Sequence, residues 1–255
     1  MLTRIAPDLL HARKVTSRAP GQREMSLVVR AAYRLWSGAT LVPIEDPAER
    51  GTLSGDVFGD ADDERTGALV RASDVADFKP KADLLLRASC HSSDGRPVRE
   101  LTCTFRVGAW SKALRVFGKR VWTEVPGSPI SAPVPFVSLP ITYEDAFGGP
   151  GFARNPVGMG FEPAQLPRIE DPSALIRSRR DRPDPAGYGP VSPSWPQRKS
   201  KQGSQYGKEW KKTRAPFYAA DFDWGFFNAA PLGQQLPGYL RGDEEISFEH
   251  LLPHA

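Results

Sequence analysis

The sequence predicts a mainly β protein with an antiparallel β-sandwich or open-barrel core, long ordered Pro/Gly-rich loops and one or two short helices. Three observations predict it. First, 25 prolines and 23 glycines among 255 residues disfavour long helices. Second, residues 98–107 alternate between apolar and polar side chains, which is the period of a half-buried strand. Third, residues 140–160 and 221–235 combine Gly, Pro and Asn with aromatic residues, which indicates ordered loops rather than flexible linkers.

The strand over 98–107 is the clearest element. It places Leu101, Cys103, Phe105 and Val107 on one face and polar residues on the other. β-branched and aromatic residues between turn signals indicate the remaining strands. They are predicted at 25–35, 40–44, 67–72 and 82–90, with a hairpin over 112–123 that turns at 117–119.

The chain is expected to form a single domain over 1–255, with an antiparallel β core at 20–125 and a loop-rich wrapping half with short strands at 126–255. Five prolines between 126 and 140 argue against central strands at the start of the second half. Asp171 and Pro172 predict a short helix over 171–178. Residues 183–207 are either a mobile loop or an insertion that Trp195 and Tyr206 tie down.

Composition narrows the functional classes. No run of 18 apolar residues is present, so neither a membrane span nor a membrane partner is expected. The first 14 residues lack the pattern of a secretory signal, and Cys90 and Cys103 suit reduced thiols on neighbouring strands. We therefore expect a cytoplasmic protein. An acidic stretch at 45–64 and a basic one at 177–214 suit electrostatic steering towards a charged partner.

Signatures of catalysis are largely absent from the sequence. The four histidines are scattered, and no zinc, nucleophile-elbow or phosphate-loop spacing occurs. We predict no catalytic residue, no metal site and no cofactor. One alternative stays open: Asp221 and Asp223 point the same way in an extended segment and could hold a divalent ion for hydrolysis. The other interpretation is that both carboxylates cap turns.

The segment 195–214 interleaves Trp195, Tyr206 and Trp210 with lysines and arginines. Three interpretations fit this composition. Trp and Arg are common at the energetic centres of protein interfaces, so the segment could dock an acidic protein. Aromatic rings among cations also bind single-stranded nucleic acid, and a solvated loop is the third interpretation.

In order and spacing, many segments resemble a family of bacterial proteins encoded beside type VI secretion effectors and acting as their adaptors or chaperones. The resemblance extends over about residues 20–252. At position 207 this chain has Gly where members usually carry an acid, and positions 90–92 read Cys-His-Ser where members tend to have small residues and Pro. The segments that carry it are SDVADFKPKADLLL (73–86), GKRVW (118–122), LPITYEDAFGG (139–149), NPVGMGF (155–161), PAGYGPVSPSWPQR (185–198), GSQYGKEW (203–210), PFYAADFDWGFFNAAPLGQQ (216–235) and LRGDEEI (240–246).

This resemblance implies a cytoplasmic, non-enzymatic helper that holds a secreted effector protein and helps to load it on the spike-tip protein. The spike-tip protein would then be a second partner, and nucleic acid is not an expected partner. The predicted partner-binding residues combine the aromatic and cationic side chains of the second half. They are Trp195, Arg198, Tyr206, Trp210 and Lys211, with Arg154 and Trp224 as second choices.

Overall fold

A computed structural model describes residues 10–16, 24–59, 67–162 and 165–253. The strands are β1 (Leu10–Thr16), β2 (Glu24–Val29), β3 (Tyr33–Arg34), β4 (Val42–Pro43), β5 (Val57–Phe58), β6 (Leu69–Arg71), β7 (Lys81–Asp83), β8 (Ser89–His91), β9 (Glu100–Val107), β10 (Trp110–Phe117), β11 (Trp122–Val125), β12 (Ser128–Ile130), β13 (Ser138–Pro140), β14 (Phe147–Gly148), β15 (Met159–Gly160), β16 (Ile169–Glu170), β17 (Gln235–Pro237) and β18 (Ile246–Glu249). The α-helices are α1 (Pro47–Arg50), α2 (Pro196–Lys199) and α3 (Lys208–Thr213), and short 3₁₀ turns lie at Tyr143–Asp145, Ser200–Gln202, Trp224–Phe227 and Leu232–Gln234.

This architecture confirms a mainly β fold with antiparallel sheets and short helices. Over the described residues, one four-stranded sheet is accompanied by seven two-stranded ones, and none closes into a barrel. The pair β14–β15 is parallel, whereas the other strand pairs are antiparallel. No helix in the described part of the chain is both long and apolar enough to cross a membrane.

The four-stranded sheet has the order β16-β10-β9-β18. β9 and β10 form its central hairpin, and Gly108 takes a positive φ of 54° at the turn. The apolar face predicted for β9 is confirmed, because Leu101, Cys103, Phe105 and Val107 are all buried, and Thr104 of the predicted polar face is buried as well. The two outer strands come from the second half of the chain, so that half completes the central sheet as well as wrapping it.

The strand predicted at 82–90 is wrong as one element. The chain enters it as β7, which pairs with β17, and leaves it as β8, which pairs with β13. Between these strands, the backbone amide of Leu84 donates to the Gln234 carbonyl at 2.9 Å and that of Leu86 to the Tyr188 carbonyl at 3.2 Å. The local pattern predicted an extended backbone, but the hydrogen-bond partners of 82–90 lie on several separate segments of the chain.

Two further predictions are corrected. The predicted hairpin over 112–123 is wrong, because β10 runs straight to Phe117 and pairs back to β9, while β11 pairs with β12. The helix predicted over 171–178 is also wrong. Asp171 instead accepts the Ser173 amide at 2.8 Å in a local turn that does not propagate.

In the first half, the predicted strand at 67–72 is confirmed as β6. The strand predicted at 25–35 is broken into β2 and β3, and β3 pairs with β4, which lies within the strand predicted at 40–44. The acidic stretch 45–64 contains α1 and β5, and its residues 60–64 lie outside the described part.

The main core packs around β9 and β10, and Tyr188 contributes from the second half. Cys90 and Cys103 are both fully buried within that core, and both are free thiols that form no disulfide. Two smaller clusters surround Trp195 and Phe147. These clusters anchor the irregular segments that carry the candidate site.

Candidate functional site

Two of the predicted partner-binding residues lie in the interior. Trp195 is 2% exposed, and its ring meets that of Tyr143 edge to face at 5.4 Å. Arg198 is 7% exposed, and its guanidinium donates to the carbonyls of Val191 at 2.7 Å and Phe226 at 3.0 and 3.1 Å. This corrects their predicted role as surface contacts, since both side chains tie the segment 195–199 to the body of the protein.

The loops that follow form an aromatic groove with a volume of about 400 Å³. Its rings lie close together, with 4.3 Å between the centroids of Tyr218 and Phe222 and 5.6 Å between those of Phe226 and Phe227. Such rings supply apolar contact area with little conformational freedom to lose. The lining residues are Gln202, Gly203, Tyr206, Tyr218, Phe222, Phe226 and Phe227.

Three other predicted residues belong to this groove or to its support. Tyr206 is 38% exposed, and its ring meets Trp210 edge to face at 5.1 Å. The indole nitrogen of Trp210 donates to the Phe217 carbonyl at 2.8 Å, which fixes α3 beside the groove. Trp224 is half-buried and stacks on Phe227 with 6.1 Å between centroids. Of the predicted aromatic residues, Tyr206 lines the groove, and Trp210 and Trp224 contact rings that line it.

Asp221 and Asp223 hold the groove's backbone. Asp221 accepts the amides of Ser204 at 2.7 Å and Gln205 at 3.2 Å, and it also accepts the Ser204 hydroxyl at 3.0 Å. These donors hold the pKa of the Asp221 carboxyl below its usual range. Asp223 accepts the Gly225 amide at 2.7 Å and caps the turn at Trp224–Phe227. This is the turn-capping arrangement that the sequence left as one of two interpretations.

Gly203 explains why this corner cannot take a larger residue. Its φ is +77°, and a Cβ there would approach the Asp221 carboxylate oxygen to 2.5 Å.

Among the described residues, no group of three or more His, Cys, Asp or Glu side chains is arranged to hold a metal ion.

The helix α3, whose Trp210 packs on the groove residue Tyr206, carries three lysines. Lys208, Lys211 and Lys212 are exposed, and no described carboxylate lies within ion-pair distance of them. Arg154, the remaining predicted residue, lies in another part of the structure. It forms an ion pair with Asp184, and its guanidinium covers the Phe152 ring at 4.7 Å. The predicted set therefore separates into a groove with the lysine-bearing helix α3, two buried anchors and one unrelated arginine.

Sequence reasoning missed two other features. Apolar side chains are exposed along β2 and the hairpin after it. The alternation of Met25, Leu27 and Val29 with more buried residues indicated a strand, but the pattern did not say which face would be covered. These exposed side chains are Met25, Leu27, Val29, Tyr33, Leu35, Trp36, Leu41 and Val42.

The second missed feature is a partly open cavity of about 390 Å³ beside β6, which we call the β6 cavity. Among the described residues it is lined by 68–72 and 74, 85–87, 141–144 and 187–190. These segments come from four distant parts of the chain. No local sequence signal could have brought them together.

Comparison with known proteins places the chain in one family. The family described as "Uncharacterized protein conserved in bacteria (DUF2169)" matches residues 20–255, so the chain belongs to it. No curated protein matches the chain. No solved structure matches it either.

Proposed function

We propose that this protein is a non-enzymatic adaptor or chaperone that binds a type VI secretion effector in the cytoplasm and helps to load it on the spike-tip protein. The observation that carries the proposal is the aromatic groove together with the lysines of α3. The resemblance of the segments over residues 20–252 supplies the biological setting. The groove supplies a physical means of binding another polypeptide.

The groove suits reversible protein binding because it is already ordered. Rings held by hydrogen-bonded turns lose little conformational entropy when a partner arrives. The lysines of α3 have no ion-pair partner among the described residues, so an acidic partner would gain favourable charge contacts without breaking the ion pairs that the structure shows. We therefore expect the effector to present an apolar anchor flanked by acidic residues.

The same geometry weighs against the hydrolase alternative. Asp221 and Asp223 accept hydrogen bonds from backbone amides and so stabilise the loop that carries the aromatic rings. Among the described residues, moreover, no group of three or more His, Cys, Asp or Glu side chains is arranged to hold an ion. Binding of single-stranded nucleic acid would also use rings and lysines, so the experiment includes it as a competing outcome.

The test is co-expression with the effector candidate encoded beside this gene, followed by co-purification. We expect Tyr206→Ala to weaken the measured affinity about 10- to 30-fold, since an exposed aromatic at an interface centre contributes about 1.4–2 kcal/mol. Tyr239→Ala is the matched control, because Tyr239 is 67% exposed and does not line the groove.

A second pair of variants tests the charge. Lys211→Glu with Lys212→Glu should weaken effector binding, whereas Arg96→Glu, at a site 86% exposed in its side chain, should not. An effector that stays soluble and active alone and never co-elutes would overturn the proposal. Tight binding of a generic oligothymidine that the lysine variants abolish, without effector binding, would favour the nucleic-acid alternative.

A further inference from the structure

The β6 cavity lies along an edge of β6 with which no described strand pairs. β6 belongs to a two-stranded sheet in which its partner is β5. Residues 68–72 line the cavity consecutively, whereas no residue of β5 lines it. Side chains of a strand alternate between its faces, so a wall made of five successive residues exposes the backbone edge. The cavity therefore borders the edge of β6 opposite β5.

The facing wall also has free backbone donors. The amides of Leu84 and Leu86 bond to the carbonyls of Gln234 and Tyr188, which is the alternation of an extended chain. The intervening amides of Leu85 and Arg87 have no hydrogen-bond partner among the described residues. Two extended segments with available backbone groups thus face one cavity.

The side chains around the cavity define what could fill it. Leu69, Val70, Leu85, Leu86 and Ile141 make its wall largely apolar. A volume of about 390 Å³ falls within the range of about 300–1,000 Å³ that is usual for binding pockets. Five residues of strand extend over about 16 Å, which is room for a short extended segment.

Charge at the rim narrows the occupant further. Arg87 and Glu144 both line the cavity, and both are exposed. Neither has an ion-pair partner within the described part of the chain. A segment with apolar residues at alternate positions and flanking charges of both signs complements this rim.

We propose that the β6 cavity binds an extended, alternately apolar segment of a partner polypeptide, which adds as a strand to the free edge of β6. Main-chain hydrogen bonds to the edge would supply affinity, and the apolar wall would select the side chains. This site is separate from the aromatic groove and does not depend on the function proposed for it.

The first experiment selects a phage-displayed library of seven-residue peptides on the full chain. We expect enrichment of peptides with apolar residues at every second position. A synthetic copy of the most enriched peptide should bind at least about tenfold more weakly to Ala72→Trp, which fills the cavity. Ala39→Trp adds the same side chain at an exposed position that does not line the cavity and should leave the affinity unchanged.

Arg87→Glu changes an exposed side chain, so it tests the proposal even if Ala72→Trp does not fold. It should lower the affinity for peptides with an acidic flank and raise it for those with a basic flank, while Arg96→Glu should do neither. Thermal melts of all four variants confirm that they are folded before binding is compared.

The second experiment tests the backbone. Methylating each amide nitrogen of the selected peptide in turn should abolish binding at alternate positions and leave the intervening ones unaffected, because only one edge of an added strand faces β6. Failure to enrich any peptide, equal binding by the cavity variants, or no alternation in the methylation scan would each overturn the proposal. Self-association that Ala72→Trp abolishes would assign the cavity to a second copy instead. None of these outcomes changes the effector-binding results for Tyr206→Ala and for Lys211→Glu with Lys212→Glu, which test the aromatic groove.

Discussion

Several buried side chains act as cross-links between distant segments. The Tyr188 hydroxyl donates to the carbonyls of Cys103 and Lys112, both at 3.1 Å. The Lys112 ammonium in turn donates to the Gly187 carbonyl at 2.7 Å and the Gln234 side-chain oxygen at 2.6 Å. Burial lowers the pKa of Lys112 to about 8. This network fixes the 187–190 wall of the β6 cavity against the central sheet.

Cys90 and Cys103 should be inert thiols in the native protein. Burial raises the pKa of Cys90 to about 12 and that of Cys103 to about 11, so neither forms the reactive thiolate near neutrality. We expect iodoacetamide at pH 8 to modify neither residue in the folded chain and both in urea, as measured by mass spectrometry. Rapid labelling of either thiol without denaturant would contradict the burial described.

The same thiols predict how stability depends on pH. Their folded pKa values lie above the ordinary value of 9.0, so the unfolded chain releases these protons first. Their contribution to the free energy of unfolding is complete below about pH 9 and is lost as pH rises through about 11 for Cys103 and about 12 for Cys90. Urea unfolding of the wild type and of the Cys90→Ala, Cys103→Ala double variant at several pH values measures it, and the double variant should show a shallower decline above pH 9.

At the scale of elements, the sequence predicted what is local. The alternation in β9 was sufficient to identify its apolar face, because successive side chains of a strand point to opposite faces. The segment 82–90 was not predictable, since Leu84 and Leu86 find backbone partners near positions 234 and 188. Likewise, the aromatic groove was predictable as a composition, but the burial of Trp195 and Arg198 depends on Tyr143, Val191 and Phe226, which only the folded chain brings near.

Gly118 has a different structural role from the hairpin turn that the sequence predicted. The sequence assigned it to a hairpin turn, but a Cβ there would lie 1.7 Å from the Val134 carbonyl oxygen. We expect Gly118→Ala to lower the free energy of unfolding by about 3 kcal/mol or more, because backbone must move. Gly55→Ala has no atom within 4 Å of the new Cβ and should change stability by less than about 1 kcal/mol. Equal stability of the two variants in urea unfolding would contradict the close approach.

Across the described residues, internal contacts hold some of the charged side chains of the blocks that the sequence showed. In the acidic stretch, Glu49 pairs with Arg34, and Asp56 accepts the Ser73 amide at 2.7 Å. In the basic stretch at 177–214, Arg179 lies 3.3 Å from Glu124, and Arg198 donates to the Val191 carbonyl at 2.7 Å. The lysines of α3 keep no ion-pair partner among the described residues, so their positive charge is available to a partner that approaches α3.

This arrangement predicts that charge governs the rate of effector association more than the lifetime of the complex. Exposed lysines attract an acidic surface over about 10 Å at 0.1 M salt, whereas contacts with the rings form only after docking. Raising salt from 50 to 500 mM should therefore slow association, as measured by stopped-flow fluorescence with the co-purified effector. The Lys211→Glu, Lys212→Glu variant should associate slowly at low salt and respond less to added salt, while Tyr206→Ala should mainly speed dissociation. If Tyr206→Ala slows association and the lysine variant speeds dissociation, the rings and the lysines do not have the separate roles that we infer from the groove.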